Sequence, residues 1–230
     1  MDIKEKKMKT FYVTGIDTEI GKTIVTGKIA AYLNRIGTKT TTMKPIQTGC
    51  TGIAEDILTH RAIMGIKPDK YDNDHRTNPV VFRFPASPHL AAELEDRTID
   101  LELIDRSLKT LQENFDCVLV EGAGGIYVPI TRDYTSLDLV KKNDFPVIIV
   151  SSPRLGSINH TMLTIEILKN SGVKIAGLVY NMFPPEKEEI TKDSLGVIKH
   201  FSQKLGLDFP FFVNPYSENL KDIVDFDGLI

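Results

Sequence analysis

The sequence predicts an α/β fold, with a mostly parallel central sheet and helices on both faces. Three observations carry that expectation. Short apolar runs alternate with helical patterns along the chain, the signature of strands joined by helical crossovers. Several of those runs are continuously apolar rather than alternating, as strands covered on both faces must be. A glycine-rich loop follows the first run and opens the first helix: Gly15-Ile16-Asp17-Thr18-Glu19-Ile20-Gly21-Lys22-Thr23. The 230 residues are 41% hydrophobic and 26% charged, ordinary for a globular protein and enough to bury a sizeable core. We expect a single P-loop NTPase-like domain spanning residues 1–230.

Phe11–Thr14 reads as the first strand and Lys22–Arg35 as the first helix. The loop between them has the chemistry of a phosphate cradle. Backbone N–H groups at the helix N-terminus face the ligand, and the helix dipole favours negative charge there. The Lys22 ammonium reaches the outer phosphates and the Thr23 hydroxyl can reach Mg²⁺. The usual motif has four residues between its first glycine and Gly-Lys-Thr; here five intervene. The flanking strand and helix supply the context that a chance Gly-Lys-Thr would lack. The expected ligand is a nucleoside triphosphate with Mg²⁺.

Lys39–Met43 is the second strand, followed by Lys44-Pro45. A second cation there would stabilise charge on a transferring phosphoryl group; spacing alone also allows a surface lysine. Helices follow at Asp56–Met64, Pro88–Glu95 and Leu101–Asn114. Asp56 fits an N-cap or a metal ligand. Cys117–Val120 is the third strand, with Glu121 at its tip in a Walker B position and glycines behind it that let backbone approach a ligand.

Leu137–Lys142 is helical and Val147–Val150 extended. Gly156-Ser157-Ile158-Asn159-His160 opens the helix Ile158–Asn170. Its free N–H groups can hold a carboxylate, or Ser157 or Asn159 can simply cap it. Strand Ile175–Tyr180, helix Glu188–Lys204 and strand Phe211–Val213 complete the pattern. His89 and His160 have no nucleophile arrangement with them and read as hydrogen-bonding or structural residues. Five loops at strand C-terminal ends, up to Asn181, then converge on one edge, where ligands bind in such sheets.

The bulk numbers exclude several classes. A net charge of −3 offers no broad basic footprint for nucleic acid. No apolar run approaches membrane-spanning length. Met1 to Lys9 is charged, lacks a signal-type apolar core, and reads as a frayed tail. Cys50 and Cys117 make neither a disulfide framework nor a cysteine metal site, which suits a reducing cytoplasm.

Together these pieces resemble the dethiobiotin synthetase family, from about Phe11 to about Asn181. The specific segments are Thr18-Glu19-Ile20-Gly21-Lys22-Thr23 with its five-residue spacing, Lys44-Pro45-Ile46-Gln47-Thr48-Gly49, Ser87-Pro88-His89, Val120-Glu121-Gly122-Ala123-Gly124-Gly125 and Leu155-Gly156-Ser157-Ile158-Asn159-His160. The resemblance implies a homodimer with a seven-stranded or similar sheet. It implies that 7,8-diaminononanoate, CO₂ and MgATP become dethiobiotin, ADP and phosphate through a carbamate and a carbamic–phosphoric anhydride. On this sequence it makes Lys22, Lys44 and Thr18 the groups around the transferring phosphoryl. Thr23, Asp56 and Glu121 would hold Mg²⁺. Glu19, Ile20, Gly21, Ile24, Gly122, Ala123 and Gly124 would line the nucleotide. Asn181 and Met182, with Pro215, Tyr216 and Ser217, would bind the base. Thr48 would touch the diamine, keeping the hydroxyl of the serine frequent there. Ser157, Ile158 and Asn159 would bind the substrate carboxylate across the dimer interface.

The chain also departs from the family. Met182 stands where an acidic residue is frequent, no tyrosine counterpart follows Pro185, and Tyr216 to Ile230 matches weakly. The main alternative is a regulatory ATPase switch of the deviant P-loop class. It would carry a lysine where Asp17 stands and a C-terminal membrane helix, for which Asp222 to Ile230 is short and acidic. A cobyrinate-type amidating synthetase would need a glutaminase domain, and a nitrogenase-type iron protein would need cluster cysteines.

Overall fold

The computed structural model describes residues 9–222 and 224–229. The lysine-rich start of the chain and part of the last segment considered above lie outside them. Six parallel strands form the central sheet: β1 (Lys9–Gly15), β2 (Thr40–Met43), β5 (Cys117–Gly125), β8 (Val147–Ser151), β9 (Ile175–Asn181) and β10 (Phe211–Asn214). Their spatial order is β10-β9-β8-β1-β5-β2. Among the described residues the count is six, where the resemblance implied seven or a similar number. Every residue of β8 and β9 is buried. Neighbouring residues of a strand face opposite sides, so both faces of the sheet are covered.

The covering helices are α1 (Lys22–Arg35), α2 (Glu55–Met64), α4 (Pro88–Leu94), α5 (Leu101–Gln112), α6 (Ser136–Lys142), α7 (Ser157–Asn170) and α8 (Glu188–Lys204), with a short α3 (Lys70–Asn73). Helix α1 packs on α2, and α7 on α8. These agree with the sequence expectations to within a residue or two at each end.

Several short elements were not legible as periodicity. The strands β3 (Ile46–Gln47) and β4 (Val80–Val81) form one small parallel pair, and β6 (Pro129–Thr131) with β7 (Tyr134–Thr135) an antiparallel one. Two- and three-residue strands contain no repeat to detect. Helix α3 is set by a capping box of Asp69 and Asp72.

β1 lies between β5 and β8, while the chain leaving it through α1 next enters β2 at the sheet edge. That arrangement opens a crevice beyond the C-terminal end of β1, the ligand position of doubly wound sheets. Strand β5 runs five residues past the apolar stretch, so Glu121 stands mid-strand and not at a strand tip as expected. Glycines there keep β5 against β1, with a register shift between Val13 and Gly15 that pairs Gly15 with Gly125. At Gly122 a methyl group would collide with the buried Tyr12 ring. The C-terminal segment, weak in family likeness, closes the core: Phe226 is 1% exposed and packs edge-on against Tyr32.

Candidate active site

A cavity of about 770 Å³ opens where β1, β2, β5 and β9 end. It is lined by Thr18, Glu19, Gly21, Lys22, Thr23, Ile24, Lys44, Asp56, Glu121, Gly124, Asn181, Pro215, Tyr216 and Ser217 among the residues singled out in the sequence. It also collects Lys28, Phe183, Asn214, Glu218 and Leu220, which the sequence reading missed.

The floor is built by the loop before α1. Gly21 occupies the N-cap position in the left-handed conformation (φ 86°), and a side chain there would strike the Asn181 amide. Only glycine meets both demands. Lys22 is 7% exposed and donates to the Asp17 carbonyl at 2.9 Å. Burial, with the nearby Lys44 charge adding to it, pushes the Lys22 ammonium down to about 8. Asp17 accepts from the Thr18 amide and pairs with Arg154, which ties the loop to the start of α7.

The acidic side is set by β2, α2 and β5. Lys44 is 5% exposed and spends its three donors on Asp56 Oδ2 (2.7 Å), Glu121 Oε1 (3.0 Å) and the Gly122 carbonyl (3.1 Å). Burial opposes its charge, but Glu121 and Asp56 outweigh burial and hold Lys44 well above the ordinary lysine value. Burial likewise opposes ionisation of Glu121, yet Lys44 and the His60 hydrogen bond hold it well below the usual carboxylate range. The surface-lysine alternative for Lys44 therefore fails. The N-cap alternative for Asp56 fails too: Ala54 is the N-cap, and Asp56 lies inside the first turn of α2.

Thr23 Oγ1 lies 3.1 Å from Asp56 Oδ1 and 3.0 Å from Glu121 Oε1. One hydroxyl proton cannot serve both carboxylates at once. A hydroxyl and two carboxylates around one point make a hard-oxygen set of the kind Mg²⁺ takes, alongside phosphate and water oxygens. The residues present fit that ion.

Other expected site residues sit elsewhere. Ile20 is 1% exposed and offers only its carbonyl, which accepts from Asn181 Nδ2 at 2.8 Å. Gly122 contributes the carbonyl on Lys44, Ala123 follows it on β5, and Met182 bonds backbone to backbone with Asn214. None of these four lines the cavity, and neither does Thr48, half-buried after β3. Ser157, Ile158 and Asn159 form the first turn of α7, also outside it. Ser157 is buried, Asn159 is exposed, and neither caps: Gly156 holds the N-cap position without a side-chain bond.

The site's histidine is His60, fully buried, which the sequence reading passed over in favour of His89 and His160. Its Nε2 lies 2.8 Å from Glu121 Oε2. A signal existed: His60 follows Asp56 by four residues, which places both on one helix face.

Comparison with known proteins decides the lineage. A family model described as an AAA domain matches residues 9–207. The ATP-dependent dethiobiotin synthetase of Pasteurella multocida is 45% identical over 196 residues, covering 85% of this chain and 92% of the relative. That of Chlorobaculum tepidum is 44% identical over 205 residues, covering 88% and 86%. The chain belongs to the dethiobiotin synthetase family. Solved structures add the wider fold. A ParA family ATPase from Chlorobium tepidum superposes with a TM-score of 0.51 at 14% identity, over 93% of this chain and 86% of that one. The chain thus shares the P-loop NTPase-like α/β architecture with an ATPase of distant sequence.

Proposed function

We propose that this protein is an ATP-dependent cyclo-ligase that makes the ureido ring of dethiobiotin from 7,8-diaminononanoate and CO₂. The observation that carries the reading is the convergence of Lys22, Lys44, Thr23, Asp56 and Glu121 on one cavity above β1. It is what phosphoryl transfer onto a carbamate needs: two cations and a hard-oxygen set.

The chemistry follows in three steps. A substrate amine attacks CO₂, forming an N–C bond and losing a proton to give a carbamate. A carbamate oxygen attacks the γ-phosphorus, and the bond to the ADP oxygen breaks. The second amine attacks the carbonyl carbon of the mixed anhydride, closes the ring and expels phosphate. Lys22 and Lys44 offset charge on the phosphoryl group and carbamate, and Thr18 lies beside them. Thr23, Asp56 and Glu121 would hold Mg²⁺, which supplies charge neutralisation on the phosphates when bound. Glu19, Gly21, Ile24 and Gly124 enclose the nucleotide, and Asn181 with Pro215, Tyr216 and Ser217 takes its base. Thr48, and Ser157 to Asn159 from a second copy, serve the diamine and its carboxylate.

We read the whole chain as one domain working as a cytoplasmic homodimer. Among the described residues no helix is long and apolar enough to cross a membrane. The switch alternative loses its lysine: Asp17 holds that position and is paired to Arg154.

The test is phosphate release from MgATP with and without 7,8-diaminononanoate and bicarbonate, with mass detection of the cyclic urea. Release that requires both substrates, with the dethiobiotin mass, is the expected result. Hydrolysis indifferent to the diamine would favour a switch instead.

A further inference from the structure

A buried lysine lines the same cavity as Lys22 and Thr23 and, among the described residues, uses one of its donors. Lys28 lies on α1, six residues beyond Lys22, and is 2% exposed. Its ammonium donates to Asn214 Oδ1 at 3.1 Å. Among the described residues this is its one hydrogen bond; Asp222 adds only a longer-range attraction. The amide orientations are set by a backbone group. The Ile20 carbonyl accepts from Asn181 Nδ2 at 2.8 Å, which turns Asn181 Oδ1 to accept from Asn214 Nδ2 at 2.6 Å. Asn214 Oδ1 is thereby aimed at Lys28.

Lys28, Asn181 and Asn214 line the same cavity as Phe183 and Tyr216, whose rings stack at 6.1 Å with 17° between planes. Flat apolar rings beside a polar edge suit a nucleobase. Among the described residues two N–H groups of this ammonium have no acceptor, and a ligand in the cavity can supply one. Adenine presents an amino donor at C6, leaving a ring nitrogen alone for Lys28. A 6-oxopurine presents O6 beside N7, the acceptor pair that a lysine reads well on guanine.

We propose that Lys28 is a base-reading residue that lets this site take 6-oxopurine nucleoside triphosphates as well as ATP, with Asn214 and Asn181 holding its ammonium in place. The proposal rests on the nucleotide reading of the cavity and is independent of the diamine chemistry.

The experiment is displacement of a fluorescent nucleotide from the full chain, without diamine, by ATP, inosine triphosphate and purine riboside triphosphate. The last carries only hydrogen at C6. We expect the wild type to bind inosine triphosphate at least about tenfold more tightly than purine riboside triphosphate, the scale of one good base-edge contact. Lys28→Met should bring that ratio towards one, and Lys28→Arg should keep it. A merely structural role for Lys28 would weaken all three nucleotides alike and leave the ratio unmoved. Equal binding of the two analogues by the wild type overturns the proposal without any variant, as does a ratio unchanged in Lys28→Met. If the ratio is as expected but phosphate release ignores the diamine, the synthetase reading fails and this one stands. If no nucleotide binds, both fall.

Discussion

His60 holds the outer oxygen of Glu121. Its Nε2 lies 2.8 Å from Glu121 Oε2, while Oε1 faces Lys44 and Thr23. Glu121 is held ionised, so its Oε2 accepts and His60 Nε2–H donates. His60 Nδ1 meets the Thr42 hydroxyl at 2.9 Å, and that hydroxyl also accepts from Arg61 Nη1 at 2.9 Å. The imidazole orients Glu121 as an outer partner orients a metal ligand.

His60→Leu removes that donor inside a buried site. The expected loss is about 10- to 100-fold in Mn²⁺–nucleotide affinity or in turnover. His60→Gln, which can donate to Glu121 and accept from Thr42, should recover part of it. Electron paramagnetic resonance of bound Mn²⁺, read beside the thermal midpoint, separates orientation from folding. Wild-type Mn²⁺ affinity and turnover in the leucine variant would remove His60 from this role.

Lys44→Ala leaves Asp56 and Glu121 without the cation between them. Turnover should fall at least about tenfold, in line with losing a group aimed at developing charge. Equilibrium nucleotide binding, which leans on the loop before α1, should change much less. Equal turnover in the variant would remove Lys44 from the mechanism.

Arg61 and Asp72, 1% and 0% exposed, pair through two hydrogen bonds of 2.9 and 2.8 Å. Burial works against the Asp72 charge, but Arg61 outweighs it and the carboxyl sits below its usual range. Arg61→Ala should cost about 3–5 kcal/mol in urea unfolding, because it strands a buried carboxylate. The sign with pH is also set. A depressed carboxyl stabilises above its unfolded value of 3.8, and that contribution is lost as acid protonates it in the fold. A variant as stable as the wild type at neutral pH would contradict the assignment.

Cys117 is fully buried in β5, and burial pushes its thiol up to about 12. It should resist alkylation in the folded protein at pH 9, as a thiol without thiolate does. Because the unfolded chain ionises first, from its ordinary value of 9.0, stability falls as pH rises above that value. The slope from this group is about 1.4 kcal/mol per pH unit. Rapid mass-detected labelling of Cys117 in native protein at pH 9 would show the burial to be wrong.

The parallel sheet was legible because several of its strands carry continuous apolar runs and are separated by helices of ordinary length. The phosphate loop was legible because glycine, lysine and threonine are needed at fixed chain positions. Glu121 was visible as an acid after a buried run, but its place mid-strand was not, since nothing in Gly122-Ala123-Gly124-Gly125 carries β propensity. The strand continues through them as an irregularity against β1: Gly124 turns left-handed (φ 66°), Gly125 regains pairing with Gly15, and Tyr12 fills the space beside Gly122.

What the sequence by itself determined is the chain-local part: the order of elements, the anion-binding turn, and which residue types reach the strand ends. Only the tertiary structure decided which side chains share a charge. Lys44, Asp56 and Glu121 come from three separate elements, and His60 and Lys28 look like ordinary helix residues along the chain. Their roles depend on distances of about 3 Å between groups far apart in sequence, in surroundings where burial strengthens every pairing and penalises every unpaired charge.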